Sequence, residues 1–296
     1  MIRTSLGGLF PEWEEVRSRL EGVGLHLDLG PEPDPAYIPY ADSDKGRLDQ
    51  FLSNLSTGEW SSLLSLRGGS GCIRLLGEWA APPLNASQQI PVVCGFSDMT
   101  YLHAALARTL SLATFWGPNA RELSDPESFD LWWAMVSGRF RNGDPLPAGR
   151  VKTLRSGRAS GPLLGGNLES LAHLCGTPFI PDFSGAILLI EDIDEPLYAI
   201  DRALRTLSMA GAFRKIAGVV VGPFSGFVPR TDDPASRVSD LIFPLVGDLP
   251  IMEASLPGHG NPMATWPLNV LVDLECPISG SPTLTLREDP FEEGMA

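Results

Sequence analysis

The stretch Ile90–Thr100, IPVVCGFSDMT, joins a short run of strand-forming residues to a glycine and, two positions later, to a serine. A helical pattern follows at once, with leucines at positions 102, 106 and 110. A tight turn from a strand into a helix pushes a serine hydroxyl out at the carboxyl edge of a sheet, as in a nucleophile elbow. Ser97 is therefore a candidate nucleophile.

This stretch alone leaves a second interpretation open. The elbow pattern is usually written G-x-S-x-G, and here Met99 stands at the fifth position. A serine or aspartate in such a turn often only caps the following helix by accepting a backbone N–H bond. Ser97 and Asp98 both suit that role, so the choice depends on the rest of the chain.

Composition restricts the classes of function. With 296 residues, of which 43% are hydrophobic and 20% charged, the chain is that of an ordinary globular protein, long enough for two domains. A net charge of −14 with only three lysines disfavours nucleic acid and anionic membranes as partners, because both need a basic surface.

Segments for export or membrane insertion are not predicted. The first residues lack the apolar core of a signal peptide, and no apolar run approaches ~20 residues, so we expect a cytoplasmic protein. The four cysteines stand singly in apolar segments, at positions 72, 94, 175 and 276, which is typical of buried free thiols.

Alternating strand and helix patterns predict an α/β chain. The predicted strands are residues 25–29, 62–66, 90–94, 186–190, 216–221, 250–254, 268–274 and 283–286, and the predicted helices are residues 12–20, 47–55, 102–110, 129–136 and 197–207. Residues 161–178 are interpreted as a glycine turn that leads into a helix.

Residues 124–162 are rich in proline, glycine and arginine. We interpret them as a linker or lid between an amino-terminal domain, residues 1–123, and a carboxyl-terminal domain, residues 163–296. Trp132 and Trp133 in this segment either pack within a helix or belong to a lid that stacks on a substrate.

The loop RGGSG, residues 67–71, follows the strand predicted at 62–66. It lacks the lysine of a phosphate-binding P-loop and does not satisfy G-x-G-x-x-G, so nucleotide binding is disfavoured. Because glycine lets the backbone approach another group closely, the loop is better suited to present a backbone N–H.

One of the four histidines suits a catalytic base. His26 lies in a predicted strand with a solvated face, and His173 lies in a helical stretch. His103 is six residues beyond Ser97 on the same helix, ~9 Å along its axis, and cannot reach the hydroxyl. His259 stands between two glycines in a loop after a strand, where a side chain can be aimed and exposed.

A serine hydroxyl needs a base to take its proton, and a carboxylate must orient that base. Glu191 follows the apolar strand predicted at 186–190 and reaches the same kind of sheet edge as Ser97. Ser97, Glu191 and His259 therefore form a candidate triad. The acidic run EDIDE, residues 191–195, also suggests a metal site, but no histidine or cysteine accompanies it at ligand spacing. We expect neither a metal nor a cofactor.

Six motifs follow one another in order from about residue 62 to residue 260. They are LRGGSGCIRLL, GFSDMTYLH, TFWGP, GPLLGGNLESLAHLCGTPFIPD, AILLIEDIDEPLYAIDRAL and GHG. In this order the motifs resemble the serine LD-carboxypeptidases (muramoyltetrapeptide carboxypeptidases), a family that includes the microcin C immunity proteins.

The resemblance implies that Ser97 is the nucleophile, Glu191 the acidic member of the triad and His259 the base. It places the oxyanion hole at the backbone N–H groups of Gly69 and Asp98. It also implies an amino-terminal flavodoxin-like or glutamine-amidotransferase-like parallel-sheet domain, a carboxyl-terminal mixed α/β domain, and a homodimer.

The activity implied by the resemblance is hydrolysis of the L,D-amide bond to the terminal D-alanine of cytoplasmic muropeptide tetrapeptides, as in peptidoglycan recycling. Arg67, Arg74 or an arginine of the linker is expected to hold the free carboxylate. Ser70 stands where the family commonly has an aromatic residue in the glycine loop. We therefore count Arg67 and Ser70 among the candidate substrate contacts.

Trp116 in TFWGP is a further candidate substrate contact. The carboxypeptidase branch of the family often has histidine at this position, whereas the immunity branch tends to have an aromatic residue. A second expected substrate is therefore a peptidyl or aminoacyl nucleotide whose base stacks on Trp116, Trp132 or Trp133. A non-catalytic ligand-binding α/β protein is the third hypothesis.

Overall fold

Strands and helices alternate through the amino-terminal half around a parallel sheet. The structure is a computed structural model and describes residues 2–5, 11–31, 33–37, 40–84, 89–226 and 238–291. The elements of this half are β1 (Ile2–Ser5), α1 (Trp13–Gly22), β2 (Leu27–Asp28), α2 (Asp44–Ser56), β3 (Ser62–Ser65), α3 (Cys72–Leu75), β4 (Val92–Gly95), α4 (Thr100–Leu110) and β5 (Thr114–Trp116). These strands pair in parallel in the order β5-β4-β3-β1-β2, which confirms the predicted parallel-sheet domain.

The carboxyl-terminal half contributes a seven-stranded mixed sheet. The elements of this half are α5 (Pro126–Val136), β6 (Val151–Arg155), β7 (Gly157–Asn167), α6 (Leu168–His173), β8 (Ile187–Ile193), α7 (Leu197–Met209), β9 (Gly218–Ser225), α8 (Val238–Ile242), β10 (Ile251–Ala254), β11 (Trp266–Leu268), β12 (Leu271–Cys276) and β13 (Thr283–Leu286). The central strands β7, β8, β9 and β10 run parallel, whereas β6, β12 and β13 pair antiparallel at the edges. The predicted mixed α/β domain is thereby confirmed.

One strand crosses from the second half into the first sheet. β11 pairs antiparallel with β5 and forms an edge of the first sheet, while β12 joins the second sheet. The single strand predicted at 268–274 is therefore wrong. The chain turns at Asn269, whose φ is 61° and whose side-chain amide donates to the carbonyl of Ser111 at 3.1 Å. This local turn sends the two neighbouring strands into different sheets.

The segment predicted as a linker, residues 124–162, contains the helix α5, the strand β6 and the first part of β7. The glycines interpreted as a turn before α6 belong to the end of β7, which continues to Asn167. Gly166 has a φ of 140°, and a side chain there would lie 2.7 Å from Thr100 and 2.9 Å from Trp116. Glycine is needed here for close packing within a strand, and the sequence pattern does not distinguish that need from a turn.

The cysteines follow their prediction only in part. All four are free, and Cys94 and Cys276 are buried, but Cys72 and Cys175 are partly exposed. Across the residues described, no helix combines the length and the apolar character needed to cross a membrane.

The helix α4 is packed on both sides. Its leucines Leu102 and Leu106 lie in a core cluster with side chains of α2 and the first sheet, as the leucine spacing predicted. Its other face places Tyr101 and Ala105 against Leu174, directly after α6 in the second half. The helix that follows Ser97 is therefore fixed between the two halves.

We expect Leu204→Ala to lower the free energy of unfolding by about 2–5 kcal/mol, because Leu204 is fully buried in the core under α7 and the truncation leaves a cavity. Tyr198→Ala on the same helix is the matched control, since Tyr198 is 71% exposed; its effect should stay within about 0.5 kcal/mol. Urea unfolding measures both. Equal losses in the two variants would contradict the assignment of this face of α7 to the core.

Candidate active site

Ser97 sits at the turn between β4 and α4 in a strained conformation. Its φ is 62°, a left-handed value that residues other than glycine rarely adopt. Gly95 makes the turn possible, since a side chain there would lie 2.8 Å from the Cγ of Met99 and 2.9 Å from the Cβ of Ser65. The side chain of Met99 thus packs over Gly95. The turn has elbow geometry although the fifth glycine of the pattern is missing.

A hydrogen-bond chain ties this turn to the second half. The Thr100 hydroxyl donates to the carbonyl of Ser97 at 2.7 Å and accepts from the backbone N–H of Asn167 at 3.0 Å. The Asn167 side chain accepts from the N–H of Ser170 as the cap of α6 and donates to Asp192 at 2.8 Å. The strained elbow is therefore fastened to the ends of β7 and β8.

The glycine loop after β3 lies against the serine. A side chain at Gly68 would be 3.4 Å from the Cβ of Ser97 and 3.5 Å from its Oγ. Gly69 is exposed, with a φ of 134° and open space around the position of a Cβ. The loop is anchored at its start by the Ser65 hydroxyl, which donates to the carbonyl of Arg67 at 3.0 Å. Backbone of this loop is thus available beside the hydroxyl.

Two side chains hold the far end of the same loop. Arg47 donates to the carbonyl of Gly71 at 3.2 Å, and its guanidinium lies over the Tyr40 ring at 4.9 Å. The Asp98 carboxylate accepts from the N–H of Cys72 at 2.8 Å, and burial raises the pKa of this carboxyl. Asp98 therefore connects the glycine loop to the elbow through its side chain, besides carrying the N–H expected in the oxyanion hole.

Glu191 and His259 form a largely buried polar pair. The Glu191 side chain has no exposed surface, and its Oε2 accepts from the backbone N–H of His259 at 3.0 Å and contacts the ring Nδ1 at 2.7 Å. In the described part of the chain the other carboxylate oxygen, Oε1, has no hydrogen-bond partner. The pair fixes the ring with Nδ1 toward the acid, which leaves Nε2 as the nitrogen available to a proton donor.

Irregular backbone makes room for this carboxylate. The pairing of β8 with β9 shifts register between Ile190 and Asp192, which is at Glu191, and such bulges re-aim side chains at functional sites. A side chain at Gly258 would lie 2.6 Å from Glu191 Oε2, and one at Gly222 would lie 2.9 Å from Glu191 Cβ. Both glycines therefore enclose the acid closely.

The His259 imidazole packs against Phe96, the residue that precedes Ser97 in the turn. The His259 ring centroid lies 4.7 Å from that of Phe96, the residue before Ser97, with the planes at 61°. Among the described residues Ser97 Oγ forms no hydrogen bond with His259; such bonds are often long in unliganded sites and tighten when substrate binds. The three predicted triad members thus come to one region from the turn after β4, from Glu191 near the carboxyl end of β8, and from the loop after β10.

His103 and His173 have structural partners. Burial lowers the pKa of His103 to about 4, so its ring is neutral near pH 7, and its Nε2 contacts the carbonyl of Gly95 at 2.9 Å. The Nδ1 of His173 lies 3.0 Å from the Tyr101 hydroxyl. His26 is exposed. His103 thus contacts the backbone of the turn at Gly95, a role that the sequence pattern did not indicate.

The candidate substrate contacts differ in accessibility. Arg67 and Ser70 are exposed on the glycine loop, whereas Arg74 is paired with Asp44 at 2.7 Å. Trp116 has no exposed surface and packs between Phe96 and His103, so its ring cannot contact a bound molecule here.

The two tryptophans of α5 also differ. Trp132 is fully buried, whereas Trp133 is partly exposed. Of the three tryptophans proposed for stacking, Trp133 alone therefore keeps accessible surface.

Asp192, in the acidic run 191–195, accepts hydrogen bonds from nearby protein groups. Asp192 accepts from the N–H groups of Glu169 at 3.1 Å and Ile193 at 2.9 Å, in addition to Asn167. Burial raises the pKa of Asp192, and burial together with the neighbouring Glu169 raises the pKa of Glu195 to about 7. Among the residues described, no group of three or more histidine, cysteine or acidic side chains is arranged to hold a metal ion.

Comparison with known families covers most of the chain. Residues 4–117 match the LD-carboxypeptidase N-terminal domain, and residues 160–274 match the LD-carboxypeptidase C-terminal domain. A putative carboxypeptidase of Synechocystis is 32% identical, over 79% of this chain and 76% of its own. The murein tetrapeptide carboxypeptidase of Pseudomonas aeruginosa is 28% identical, over 88% of each chain.

Solved structures with similar folds include proteins of the same family. The muramoyltetrapeptide carboxypeptidase from Oxalobacter formigenes superposes with a TM-score of 0.78 at 25% identity, over 96% of this chain and 98% of that one. The microcin C7 self-immunity protein MccF, solved with aspartyl sulfamoyl adenosine, superposes with a TM-score of 0.80 at 19% identity, over 96% and 95%. The second likeness shows a shared fold.

We expect Gly258→Ala to slow the reaction of Ser97 with a fluorophosphonate by about 100-fold, because the added methyl group displaces Glu191 and with it the imidazole. Gly260→Ala, on the other side of His259, is the matched control, since the nearest atom to its added carbon is 3.9 Å away. Labelling kinetics followed by intact mass measure both. Similar rates for the two variants would show that the close fit at Glu191 does not set the reactivity.

A pH-dependent stability is expected from His103. The pKa of this histidine is 6.5 when exposed and about 4 in the folded protein, so the unfolded chain binds more protons between these values. Stability should therefore be lost as pH falls from 6.5 to about 4, by about 3 kcal/mol in total. His103→Gln should flatten this part of the urea-stability profile, and His26→Gln should not. An unchanged profile in His103→Gln would contradict the neutral buried ring.

Proposed function

This chain belongs to the LD-carboxypeptidase family of serine peptidases, and from that premise we propose that it removes the terminal D-alanine from the tetrapeptide of muropeptides. The bond cleaved is the amide between the L-centre of meso-diaminopimelate and D-alanine. The observation that carries the proposal is the buried Glu191–His259 pair, packed through Phe96 against the elbow of Ser97.

In the acylation step His259 Nε2 takes the proton of the Ser97 hydroxyl as its oxygen attacks the amide carbonyl carbon. Glu191 holds the Nδ1 proton and stabilises the imidazolium that forms. The imidazolium then gives its proton to the amide nitrogen, and D-alanine leaves with a free amino group. The acyl group remains as an ester on Ser97.

Water completes the turnover. His259 takes a proton from a water molecule, the hydroxide attacks the ester, and the returning proton restores the Ser97 hydroxyl and frees the tripeptide. In both steps the carbonyl oxygen becomes negatively charged, and we assign the N–H groups of Gly69 and Asp98 as its donors. Loss of one such donor typically costs about 10²- to 10³-fold in rate. The close approach of Gly68 to Ser97 supports this assignment.

The substrate is inferred from the relatives. The Pseudomonas aeruginosa and Oxalobacter formigenes proteins carry names that specify a murein or muramoyl tetrapeptide. We extend this substrate to the present chain and propose that it acts on cytoplasmic muropeptides in peptidoglycan recycling, as a homodimer. Arg67 is our candidate for the terminal carboxylate, because it is exposed on the glycine loop, whereas Arg74 is paired with Asp44.

A peptidyl or aminoacyl nucleotide remains the second candidate substrate. The favouring observation is the fold shared with MccF, which was solved with aspartyl sulfamoyl adenosine. The burial of Trp116 and Trp132 leaves Trp133 as the ring among the three that is able to stack on a base. Trp133→Ala should therefore damage turnover of an aminoacyl sulfamoyl adenosine selectively if this substrate is the right one.

We expect Ser97→Ala to lower the release of D-alanine from a muramoyl tetrapeptide by about 10⁶-fold, the loss seen when a triad serine is removed. Mass spectrometry of the tetrapeptide and tripeptide measures it, with Ser184→Ala, on an exposed turn before β8, as the matched control. Absence of tripeptide with the unaltered enzyme would exclude the muropeptide. Ligand binding without hydrolysis of either substrate class, unaffected by Ser97→Ala, would favour the non-catalytic hypothesis.

A further inference from the structure

A cleft of about 890 Å³ opens from His259 across the second sheet. It lies over the carboxyl ends of β9 and β10 and beside the start of β6, with Phe224, Glu253 and Asn261 in its wall. The carboxyl ends of parallel strands are where open α/β sheets bind ligands. The volume suits a ligand of roughly drug size, whereas the D-alanine that leaves in the proposed reaction is much smaller.

Arg150 and Lys152 are the cations among the described residues that line this cleft. Arg150 directly precedes β6 and Lys152 belongs to it, and as alternate residues they share one face of the extended chain. Both are exposed, and within the described part of the chain neither forms an ion pair. Glu253, opposite Lys152 in the β6–β10 pairing, is the single carboxylate among the described lining residues. Among the described lining residues, positive charge therefore exceeds negative charge, in a chain of net charge −14.

The segment that carries Arg150 and Lys152 is fixed relative to the loop that carries His259. The N–H of Arg150 donates to the hydroxyl of Ser255 at 2.9 Å, and the N–H of Ser255 donates to the carbonyl of Ala148 at 3.1 Å. Ser255 begins the loop that carries His259. A molecule held by the two cations is thus held at a defined position with respect to the imidazole.

We propose that this cleft binds the acyl side of the substrate peptide, and that Arg150 and Lys152 are the counter-ions of a carboxylate on that side. The inference rests on the proposed function, which makes the acyl portion the larger part of the substrate. In a muropeptide the α-carboxylate of the γ-linked glutamate is such a group. In a strongly acidic protein an anionic peptide is repelled at long range, so local cations are needed to hold it.

The test compares two muramoyl tetrapeptides that differ only in a carboxylate or a carboxamide at the γ-linked glutamate. The unaltered enzyme should prefer the carboxylate by about 10-fold in kcat/KM, as expected for charge-assisted contacts. In the double variant Arg150→Gln/Lys152→Gln the ratio should fall to about 1. Lys215→Gln, which alters an exposed lysine outside the cleft, is the matched control and should keep the preference. Fluorophosphonate labelling of Ser97 verifies that each variant is folded.

A second pair of substrates separates the two ends of the peptide. It carries a free or an amidated carboxylate on the terminal alanine, and the double variant should affect both members equally. Loss of discrimination at the terminal carboxylate alone would overturn the inference and place the leaving group in the cleft. Equal use of the glutamate and glutamine substrates by the unaltered enzyme would also overturn it. No hydrolysis of any tetrapeptide would instead refute the proposed function, on which the inference rests.

Discussion

The buried carboxylate of Glu191 is the constraint on which the rest of the site depends. It has no exposed surface, and the N–H groups available to it come from the backbone and the ring of His259. Removing one partner of such a buried pair typically costs about 3–5 kcal/mol, because the other is left without compensation. The loop of His259 is thus bound to β8 twice, once through its backbone and once through its ring. The orientation of the His259 ring, our proposed base, follows from where the Glu191 carboxylate is buried. The irregularity in the β8–β9 pairing at Glu191 contributes to that position.

The strain at Ser97 is held by packing from both halves of the chain. A left-handed residue other than glycine costs about 1–3 kcal/mol and persists only where its surroundings determine it. Here Met99 packs over Gly95 from the first half, while the N–H of Asn167 reaches Thr100 from the second. Because Thr100 also donates to the carbonyl of Ser97, the position of the elbow responds to the position of β7.

The sequence was informative wherever a functional group follows directly from a local pattern. Ser97 and Glu191 each follow an apolar run of strand-forming residues, so their positions near the carboxyl edges of the two sheets were predictable. The strand β8 itself continues past Glu191 to Ile193. The crossing of β11 was not, because it depends on one left-handed asparagine, Asn269, inside an apolar run. The burial of Trp116 could not be predicted from the sequence. An aromatic residue in such a motif is as compatible with a binding surface as with the core. The role of His103 was not predictable either, because its contact with the carbonyl of Gly95 depends on the tertiary structure and leaves no pattern in the sequence.

The two halves are held together by one core, and this constrains how the proposed triad can form. A single cluster of buried side chains contains Phe96 and Trp116 from the first half, Leu189 and Trp266 from the second, and Trp132 from the segment between them. Relative movement of the sheets would open this cluster, and closely packed interiors resist such gaps. The distance between the Ser97 hydroxyl and the imidazole is therefore adjusted by the side chains and the Gly258–Gly260 loop, while the backbones of β4 and β8 stay in place. Because the backbones are already fixed, the entropic cost of bringing the proposed catalytic side chains together is met during folding. The proposed nucleophile is then positioned for rapid attack when a peptide binds.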